Sequence, residues 1–312
     1  MRKPGRPSEP SSDQESPWSR ARDARAEPRA DSKSREFAHE RAGPERGPRV
    51  ERERTPHAAA DAGAAREIRL YGLNACLAAF ARRPEALRKV YLTEARIPAL
   101  KPVLAWCVKH RLGYRVVEDA DLDKLTSSRH HEGVCFEMLR AELLELGELM
   151  AEQPKSPEAS LLLWLDGVGN PHNLGALLRS AAHFGVAGVV VPEQSSLDIS
   201  GAAARVAEGA AEIVPLARAD AHARETLRAN GYVLAATVPR NGTPLYDTRL
   251  PPRLALAFGA EGEGMSGTLI ESADLRITIP GTGAIESLNV AASVAVVLGE
   301  YWRQHRVRPP RA

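Results

Sequence analysis

An uninterrupted apolar run, LLLWLDGV from Leu161, constrains the fold of this chain more than any other feature. A strand that is apolar on both faces is typical of a parallel sheet covered on both sides. From this run onward, strand patterns alternate with helix patterns as far as LNVAASVAVVLGEYWRQ near the C-terminus. The alternation predicts an α/β domain with a parallel sheet over residues 161–306, followed by a short tail over 307–312.

A shorter pattern of the same kind precedes this domain over residues 67–140. EIRLYGLNACLAAFARRP predicts a strand, a glycine turn and a helix, and HHEGVCFEML predicts the last strand. Between them, the strands LRKVYLTE and YRVVED alternate with the helices PALKPVLAWCVKHRLG, which we expect to end at Gly113, and DADLDKLTSS. The segment has the size of one small α/β/α domain. Residues 141–160 predict a helix followed by a proline-containing linker.

Residues 1–66 contain only four large apolar side chains, which belong to Met1, Trp18, Phe37 and Val50. The other residues are mostly Arg, Glu, Pro, Ala, Ser and Gly, and they cannot bury enough surface to offset the chain entropy lost on folding. We therefore predict a disordered tail. Its arginines would contact RNA phosphates loosely, and a solvated tail without a single function is an equal alternative.

The net charge of +2 hides an uneven distribution along the chain. Lys and Arg exceed Asp and Glu by three over residues 1–66 and by four over 67–140, whereas the acids exceed them by five over 141–312. A basic front half favours contact with a polyanion. Within the small domain the candidate contacts are Arg82, Arg83, Arg88 and Lys89, each of which could equally be a solvated surface residue.

Cysteine number and apolar run length limit the class of protein. Cys76, Cys107 and Cys135 fit neither a complete disulfide set nor a zinc pattern, and we expect reduced structural thiols and no metal. No apolar run approaches the roughly 18 residues of a membrane span. The N-terminus, MRKPGRPSEP, lacks the apolar stretch of a secretory signal. We therefore expect a cytoplasmic protein without a membrane partner.

The first of three stretches that point to chemistry is DGVGNPHNLGALLRSAAHFG, residues 166–185. A buried strand would end in a Gly-Asn-Pro loop, and a helix would open near Asn173 and end at Gly185. Arg179 lies beside small residues on a stripe separate from the apolar face, which leaves its guanidinium room to reach a ligand. A plain surface arginine on an amphipathic helix is the alternative.

The second stretch is ALAFGAEGEGMS, residues 255–266, where an apolar strand runs into Gly259, Glu261 and Gly264. Glycine permits close backbone approach, and open α/β sheets bind ligands at the carboxyl ends of strands. The stretch has neither a dinucleotide fingerprint nor a Walker A lysine, so it favours an uncharged part of a ligand over a phosphate. A simple glycine-rich turn is the alternative.

The third stretch is ITIPGTGAIESLNVAASVAVVLGEYW, residues 277–302. A strand would end at Pro280, and Ser287 and Asn289 precede a helix of small apolar residues. Both are good helix-capping residues, and both carry polar groups that could orient a hydroxyl. The helix that follows suits close packing, including packing between subunits.

Together, NPHNLGALLRSA, FGAEGEG and IxIP followed by ESLNV resemble, in order and spacing, the three signature motifs of the SpoU (TrmH) family of RNA ribose 2′-O-methyltransferases. That resemblance covers residues 161–305. Residues 67–140 resemble the substrate-binding domain of the same family, an L30e/L7Ae-like module, through GLNA and HHEGVC. The layout is most similar to bacterial enzymes that methylate a guanosine ribose in 23S rRNA.

The resemblance implies a SPOUT-type α/β domain with a C-terminal trefoil knot, S-adenosyl-L-methionine as cofactor, RNA and not DNA as partner, and a homodimer. By motif matching it implies catalytic roles for Asn173, Arg179, Glu261, Ser287 and Asn289. It implies cofactor contacts at Thr237, Gly259, Gly264, Ile279 and Leu288. Gly281 stands where the family often has Met, which removes a side chain near the cofactor.

The implied reaction moves a methyl group from S-adenosyl-L-methionine to a ribose 2′-OH. We expect Arg179 to clamp an RNA phosphate and to stabilise negative charge developing on the oxygen, because arginine keeps its proton at neutral pH. The proton could leave through Ser287, water or a transiently activated Arg179. Asn173 and Asn289 would orient groups, and Glu261 would hold either Arg179 or a loop amide.

Several alternatives stay open at this point. A guanosine of 23S rRNA is the first expectation for the target, and a tRNA ribose is the second. An RNA-binding assembly factor without turnover belongs to a different class, and the complete set of five motif residues favours the enzyme over it. The missing phosphate loop disfavours a Rossmann-type nucleotide enzyme. His130 and His131 suit structural or RNA-contact roles better than a metal site.

Overall fold

The computed structural model describes residues 67–195 and 197–305. The predictions made for residues 1–66 and 307–312 lie outside these residues. The described chain forms a four-stranded sheet followed by an eight-stranded sheet. None of its described helices is both long and apolar enough to span a membrane.

Residues 67–139 build the first sheet, which has the strand order β1-β4-β2-β3. Its strands are β1 (Glu67–Tyr71), β2 (Leu87–Leu92), β3 (Gly113–Val116) and β4 (Val134–Leu139). Its helices are α1 (Leu73–Arg82), α2 (Lys101–His110) and α3 (Asp119–Thr126). Helices α1 and α2 cover one face of the sheet and α3 covers part of the other. The predicted alternation of strands and helices is observed.

We expected helix α2 to end at Gly113. In the structure it ends three residues earlier, at His110. Arg111 adopts the left-handed conformation (φ 57°) and closes the helix, and Gly113 already belongs to β3. Left-handed residues are common directly after a helix, but they are usually glycine. An arginine at this position carries no sequence signal of a helix end.

The three cysteines are buried in the first domain and form no disulfide. Burial raises the pKa of each thiol, and it raises the pKa of Cys135 to about 12. Neutral, buried thiols act as small apolar side chains.

The eight-stranded sheet has the order β10-β12-β9-β11-β6-β7-β8-β5, and its strand pairs are parallel, as predicted. Its strands are β5 (Leu144–Glu145), β6 (Ser160–Asp166), β7 (Gly188–Val191), β8 (Leu216–Arg218), β9 (Val233–Thr237), β10 (Thr243–Pro244), β11 (Arg253–Gly259) and β12 (Leu275–Thr278). The helices that follow them are α4 (Leu146–Ala151), α5 (Pro171–Phe184), α6 (Gly201–Ala207), α7 (Ala223–Ala229), α8 (Gly267–Ser272) and α9 (Val290–His305). Helices α5, α6 and α9 cover one apolar face, and α4, α7 and α8 cover the other.

Residues 141–160 contain a short strand in addition to the predicted helix and linker. The helix is α4, but Leu144 and Glu145 also pair with Ala217 and Arg218 as the edge strand β5. Two paired residues are too few to produce a hydrophobic period. Residues 144–151 therefore pack with the second sheet and do more than link the two domains.

Helix α6 packs against both domains at glycines. A Cβ atom on Gly201 of α6 would lie 2.7 Å from the ring of Tyr71 in β1 and would also overlap the backbone oxygen of Arg69. On the other side, a Cβ atom on Gly175 of α5 would lie 2.5 Å from the oxygen of Ala203. Only glycine permits such close approach. Helix α6 thus lies directly against the first sheet and against α5.

Ion pairs and hydrogen bonds cross the same boundary between the domains. Arg83 donates from Nε and Nη2 to the two carboxylate oxygens of Glu212 at 2.8 and 2.9 Å, and Asn74 donates to Glu208 at 2.6 Å. Bidentate pairs of this kind are strong and directional. Arg83 was a candidate RNA contact, and that expectation is wrong because Glu212 occupies its guanidinium.

The HHEGVC segment forms a turn at this boundary. His131 is buried, its Nδ1 accepts from the backbone of Gly133 at 3.0 Å, and its Nε2 lies 3.2 Å from Asp123. Glu132 accepts from the first backbone N–H of α1 at 3.0 Å and lies 3.5 Å from Arg205 of α6. Among the residues the structure describes, no group of three or more His, Cys, Asp or Glu side chains is arranged to hold a metal ion.

Arg253 is buried at the start of β11 without a carboxylate partner among the described residues. It donates to the carbonyl oxygens of Asn230 and Pro154 at 2.9 and 2.7 Å, and its guanidinium lies 4.4 Å from the ring centroid of Tyr232. The Arg253→Met variant leaves these carbonyls without a charged donor. We expect its free energy of unfolding to fall by about 1.5–3 kcal/mol. Urea denaturation measures this, with the exposed Arg129→Met as control, and equal midpoints would contradict it.

Candidate functional site

Several predicted site residues, but not Arg179, lie at or directly after the carboxyl ends of four neighbouring strands, β12, β9, β11 and β6. Asp166 ends β6 beside Gly259, which ends β11. Thr237 ends β9 beside Ile277 of β12. Open α/β sheets bind their ligands along this edge.

Residues 259–264 form a tight loop on the end of β11. Ala260 and Gly264 exchange two backbone hydrogen bonds of 3.0 Å, and Gly262 and Gly264 have φ values of 89° and 76°. A Cβ atom on Gly259 would lie 2.6 Å from the oxygen of Gly264. Gly259 is therefore needed for the loop to fold back on its own strand, a role that is separate from the predicted cofactor contact.

Two side chains fix this edge of the sheet. Asp166 accepts a hydrogen bond of 2.8 Å from the backbone N–H of Ser266, which ties the far end of the glycine loop to β6. The Thr237 hydroxyl donates to the carbonyl of Ala257. Sequence reasoning missed Asp166, although its position as the last residue of a buried strand, directly before a glycine, marks it.

One residue from each of the three stretches joins a single hydrogen-bonded group. Asn289 donates from Nδ2 to Oε1 of Glu261 at 2.6 Å and to Oδ1 of Asn173 at 3.0 Å. Its Oδ1 accepts from the backbone N–H of Ala291 at 3.0 Å and of Ala292 at 3.3 Å, at the start of α9. Asn289 therefore caps a helix and also connects the motifs, whereas its expected role in orienting a hydroxyl stays a prediction.

Glu261 had two expected partners, Arg179 or a loop amide. The structure places its Oε1 3.4 Å from the backbone nitrogen of Val290, and it forms no ion pair with Arg179. The closest partner of Glu261 is instead the side-chain amide of Asn289 at 2.6 Å, and Val290 is the first residue of α9 and not part of a loop.

Helix α5 begins two residues before Asn173. Asn170 is its cap, since the side chain accepts from the backbone N–H of His172 at 2.9 Å, and Pro171 takes the first helical position. Proline suits that position because its missing N–H needs no partner there. Asn173 therefore lies within the first turn, where its side chain meets Asn289. The helix ends at Gly185 as predicted.

Arg179 lies outside the hydrogen-bonded group. It follows Asn173 by six residues, which in an α-helix is about 9 Å along the axis and about 120° around it. The side chain is exposed and makes no ion pair within the described part of the chain. It lines an open cavity of about 410 Å³ together with Ala176, Ser180, His183, Phe184 and Val206. Its predicted place beside the 259–264 loop stays a prediction.

The segment between β12 and α9 is exposed throughout residues 281–289. Ile285 and Leu288 are 70% and 45% exposed, which is unusual for such side chains. Ser287 makes no hydrogen bond with any residue that the structure describes. Ile279 is half-buried and packs against the core on the α5 side of the sheet.

The arrangement suits a ligand with an apolar part and a positive charge better than it suits a phosphate. A Cβ atom on Gly262 or Gly264 would meet no atom within 4 Å, so the loop backbone is open. Residues 259–266 contain Glu261 and Glu263 and no Lys or Arg. Two carboxylates repel an anion and attract a cation.

Two family models match this chain. The SpoU rRNA Methylase family matches residues 160–299, and a model for RNA 2′-O ribose methyltransferase substrate binding matches residues 69–143. The chain is 38% identical over 244 residues to the uncharacterized tRNA/rRNA methyltransferase YfiF of Escherichia coli O157:H7. The aligned region covers 78% of this chain and 70% of that protein. The chain is also 38% identical over 243 residues to the 23S rRNA (guanosine-2′-O-)-methyltransferase RlmB of Pasteurella multocida, covering 75% and 97%.

Solved structures agree with these matches. An RNA 2′-O ribose methyltransferase superposes with a TM-score of 0.63 at 26% identity, over 78% of this chain and 91% of that one. An AdoMet-bound rRNA methyltransferase from Sinorhizobium meliloti gives a TM-score of 0.66 at 22% identity, over 78% and 90%, which supports the fold alone. Since the Pasteurella multocida relative is matched over nearly its whole length and the three motifs meet at one edge of the sheet, the chain belongs to the SpoU rRNA methylase family.

Proposed function

We propose that this protein transfers a methyl group from S-adenosyl-L-methionine to the 2′-OH of a ribose in RNA, with a guanosine of 23S rRNA as the target. The observation that carries the proposal is the hydrogen-bonded group of Asn173, Glu261 and Asn289, one residue from each motif. Relatives named as 23S rRNA guanosine methyltransferases support the choice of RNA and nucleotide. A cytoplasmic location belongs to the same proposal.

The open backbone of the 259–264 loop and its two carboxylates fit a sulfonium cofactor. Bound S-adenosyl-L-methionine supplies a methyl group on a positively charged sulfur, which makes the methyl carbon electrophilic. We assign the backbone at Gly259, Gly264, Ile279 and Leu288 to its contacts. Leu288 also offers exposed apolar surface to a purine ring. Thr237 supports the wall of the site, because its hydroxyl is bonded to the carbonyl of Ala257.

The residues of the chain have to align the 2′-OH with the methyl group and remove one proton. We assign Asn173, Asn289 and Glu261 to alignment, since they hold one another in place. Arg179 binds a phosphate and stabilises charge developing on the oxygen. Ser287 has an exposed hydroxyl for proton transfer.

We further propose a homodimer in which Arg179 serves the site of a second copy. The support is that Arg179 leaves α5 on a different side from Asn173 and has no acidic partner among the described residues. The trefoil knot and the L30e/L7Ae-like character of the first domain are proposed as well. The strand order supports the knot, since β12, the last strand, lies between β9 and β10.

The test is methylation of protein-free 23S rRNA with labelled S-adenosyl-L-methionine, followed by mapping of alkali-resistant linkages. We expect one guanosine to acquire the label only in the presence of the protein. Transfer to tRNA instead would favour the second candidate target, which the relative named as a tRNA/rRNA methyltransferase supports. Transfer to neither RNA would contradict the proposal, and RNA binding without cofactor binding would favour an assembly factor.

Asn289→Asp separates the two roles of this residue. Aspartate caps helices as well as asparagine does, so the start of α9 keeps its cap. The donor to Glu261 is lost and two carboxylates face each other across 2.6 Å. A hydrogen bond to a charged group contributes about 1.5–3 kcal/mol, so kcat/KM should fall roughly 10- to 150-fold. Steady-state kinetics measure this against the exposed Asn241→Asp, and an unchanged kcat/KM would remove Asn289 from the site.

A further inference from the structure

We propose that the outer edge of the first sheet is a binding site for a single-stranded segment of the RNA substrate. This basic edge surface consists of the C-terminal end of α2 and strand β3, with Lys109, Arg111, Tyr114, Arg115 and Val116 as its exposed side chains. The inference depends on the proposed function only in taking RNA as the ligand.

Strand β3 is an open edge. It pairs with β2 on one side only, and all four of its residues are exposed. Tyr114 is 45% exposed, Val116 is 52% exposed, and Val108 on the neighbouring helix is 67% exposed. Proteins usually protect such edges, and apolar side chains grouped on a surface mark an interaction site. This edge therefore needs a partner that contacts both apolar and charged groups.

The sequence around this edge is basic. Between Glu94 and Glu118 the sequence contains no acidic residue, whereas it contains Arg96, Lys101, Lys109, Arg111 and Arg115. Three other arginines of the domain have carboxylate partners, since Arg69 pairs with Glu137, Arg83 with Glu212 and Arg140 with Asp198. Four arginines outside the edge have none among the described residues: Arg82, Arg88, Arg96 and Arg129.

Lys109, Arg111 and Arg115 have no carboxylate within 4.0 Å in the described ranges. The positive charge at this edge is therefore not neutralised internally. Unpaired cations favour a polyanion over a neutral protein strand as the occupant.

The two faces of the edge offer different chemistry. Arg115 lies beside Tyr91 in the strand register, and the Lys89 ammonium lies 4.8 Å from the centroid of the Tyr91 ring, so cations share one face. Tyr114 lies beside Val90 on the other face. Single-stranded RNA presents unstacked bases and phosphates separately, and proteins bind it with aromatic rings and cations respectively. Tyr114 would stack on a base while Arg111 and Arg115 contact the backbone.

The backbone of Arg111 allows a variant that removes charge without harming the fold. Its φ of 57° lies in the left-handed region that glycine prefers. Arg111→Gly combined with Arg115→Ala should reduce affinity for a labelled single-stranded oligoribonucleotide. It should also reduce the slope of log affinity against log salt by about 1.4, at about 0.7 for each phosphate contact.

Tyr114 is tested separately. Tyr114→Ala should weaken binding of the same probe roughly 5- to 150-fold without changing the salt slope, whereas Tyr114→Phe should bind normally. Lys124→Ala is the control, because Lys124 is exposed on α3 near its own acid, Asp121. In methylation assays the Tyr114→Ala variant should raise KM for RNA and leave kcat and cofactor affinity unchanged.

The outcomes separate this inference from the proposed function. Loss of oligoribonucleotide affinity in the variants supports the surface even if no RNA is methylated by the wild-type protein. Wild-type affinity and salt slope in the double variant and in Tyr114→Ala would overturn it and assign the edge to a protein strand, such as one from a second copy. Weak binding by Lys124→Ala as well would overturn it too, because the effect would then be a general one of charge.

Discussion

Replacement of Arg179 by alanine is expected to reduce kcat for RNA methylation by about 10²–10³-fold, the usual effect of removing one group that stabilises developing negative charge. Affinity for S-adenosyl-L-methionine should stay the same, because Arg179 makes no bond to Asn173, Glu261 or Asn289. Single-turnover methylation and titration calorimetry measure the two quantities. Arg179→Lys keeps the charge but loses the fork that grips a phosphate, so it should be only partly active.

A mixing experiment tests whether Arg179 acts in its own chain or in a second copy. If each chain completes its own site, mixed dimers of Arg179→Ala and Glu261→Ala have one defect in each site and remain inactive. If Arg179 serves the partner, one site of the mixed dimer has both defects and the other is intact, so activity returns. Full turnover by Arg179→Ala alone would remove this residue from the reaction.

Gly201→Val is expected to separate the two domains. Its new side chain would overlap the backbone of Arg69 and the ring of Tyr71, and a strand backbone cannot move aside cheaply. Overpacking of this kind costs about 1–3 kcal/mol, and misplacement of a bound substrate by about 1 Å reduces rates about 10²-fold. RNA methylation should therefore fall by about that factor, while cofactor affinity is retained.

Gly147→Val is the matched control for this variant. A Cβ atom on Gly147 in α4 would meet nothing within 4 Å, so stability and activity should be nearly normal. Urea denaturation, together with limited proteolysis between residues 139 and 146, detects loosening of the first domain. Equal behaviour of the two variants would show that the contact at Gly201 does not hold the domains together.

The sequence predicts the order of elements well because long elements carry a clear hydrophobic period. The buried strands β6 and β11 and the helices α5 and α9 all appear where the pattern places them. Helix ends at glycine, such as Gly185, are also predictable, since glycine has a specific backbone preference. Ends at other residues, such as Arg111, are not. The two-residue strands β5 and β10 are set by pairing with distant partners and have no local signal.

The sequence predicts which residues form the candidate site, but it predicts only some of the contacts between them. Motif matching identified Asn173, Glu261 and Asn289 as site residues, and in the structure hydrogen bonds connect them. Which atom bonds to which depends on the packing of α5 and α9, and that packing is not local in sequence. The pairing of Arg83 with Glu212, 129 residues apart, is of the same kind. A count of charges cannot distinguish an arginine committed to such a pair from one that is open to RNA.

The glycine contacts of α6 also bear on how the protein selects its substrate. Arg205 faces Glu132 of the first domain, and the next residue, Val206, lines the cavity of Arg179. Neighbouring residues of α6 thus contact the first domain and the cavity that Arg179 lines. If the first domain binds a segment of the RNA as proposed, its contacts with α6 fix the distance from that segment to the candidate site, and an RNA with a different spacing between docking segment and target ribose should be a poor substrate.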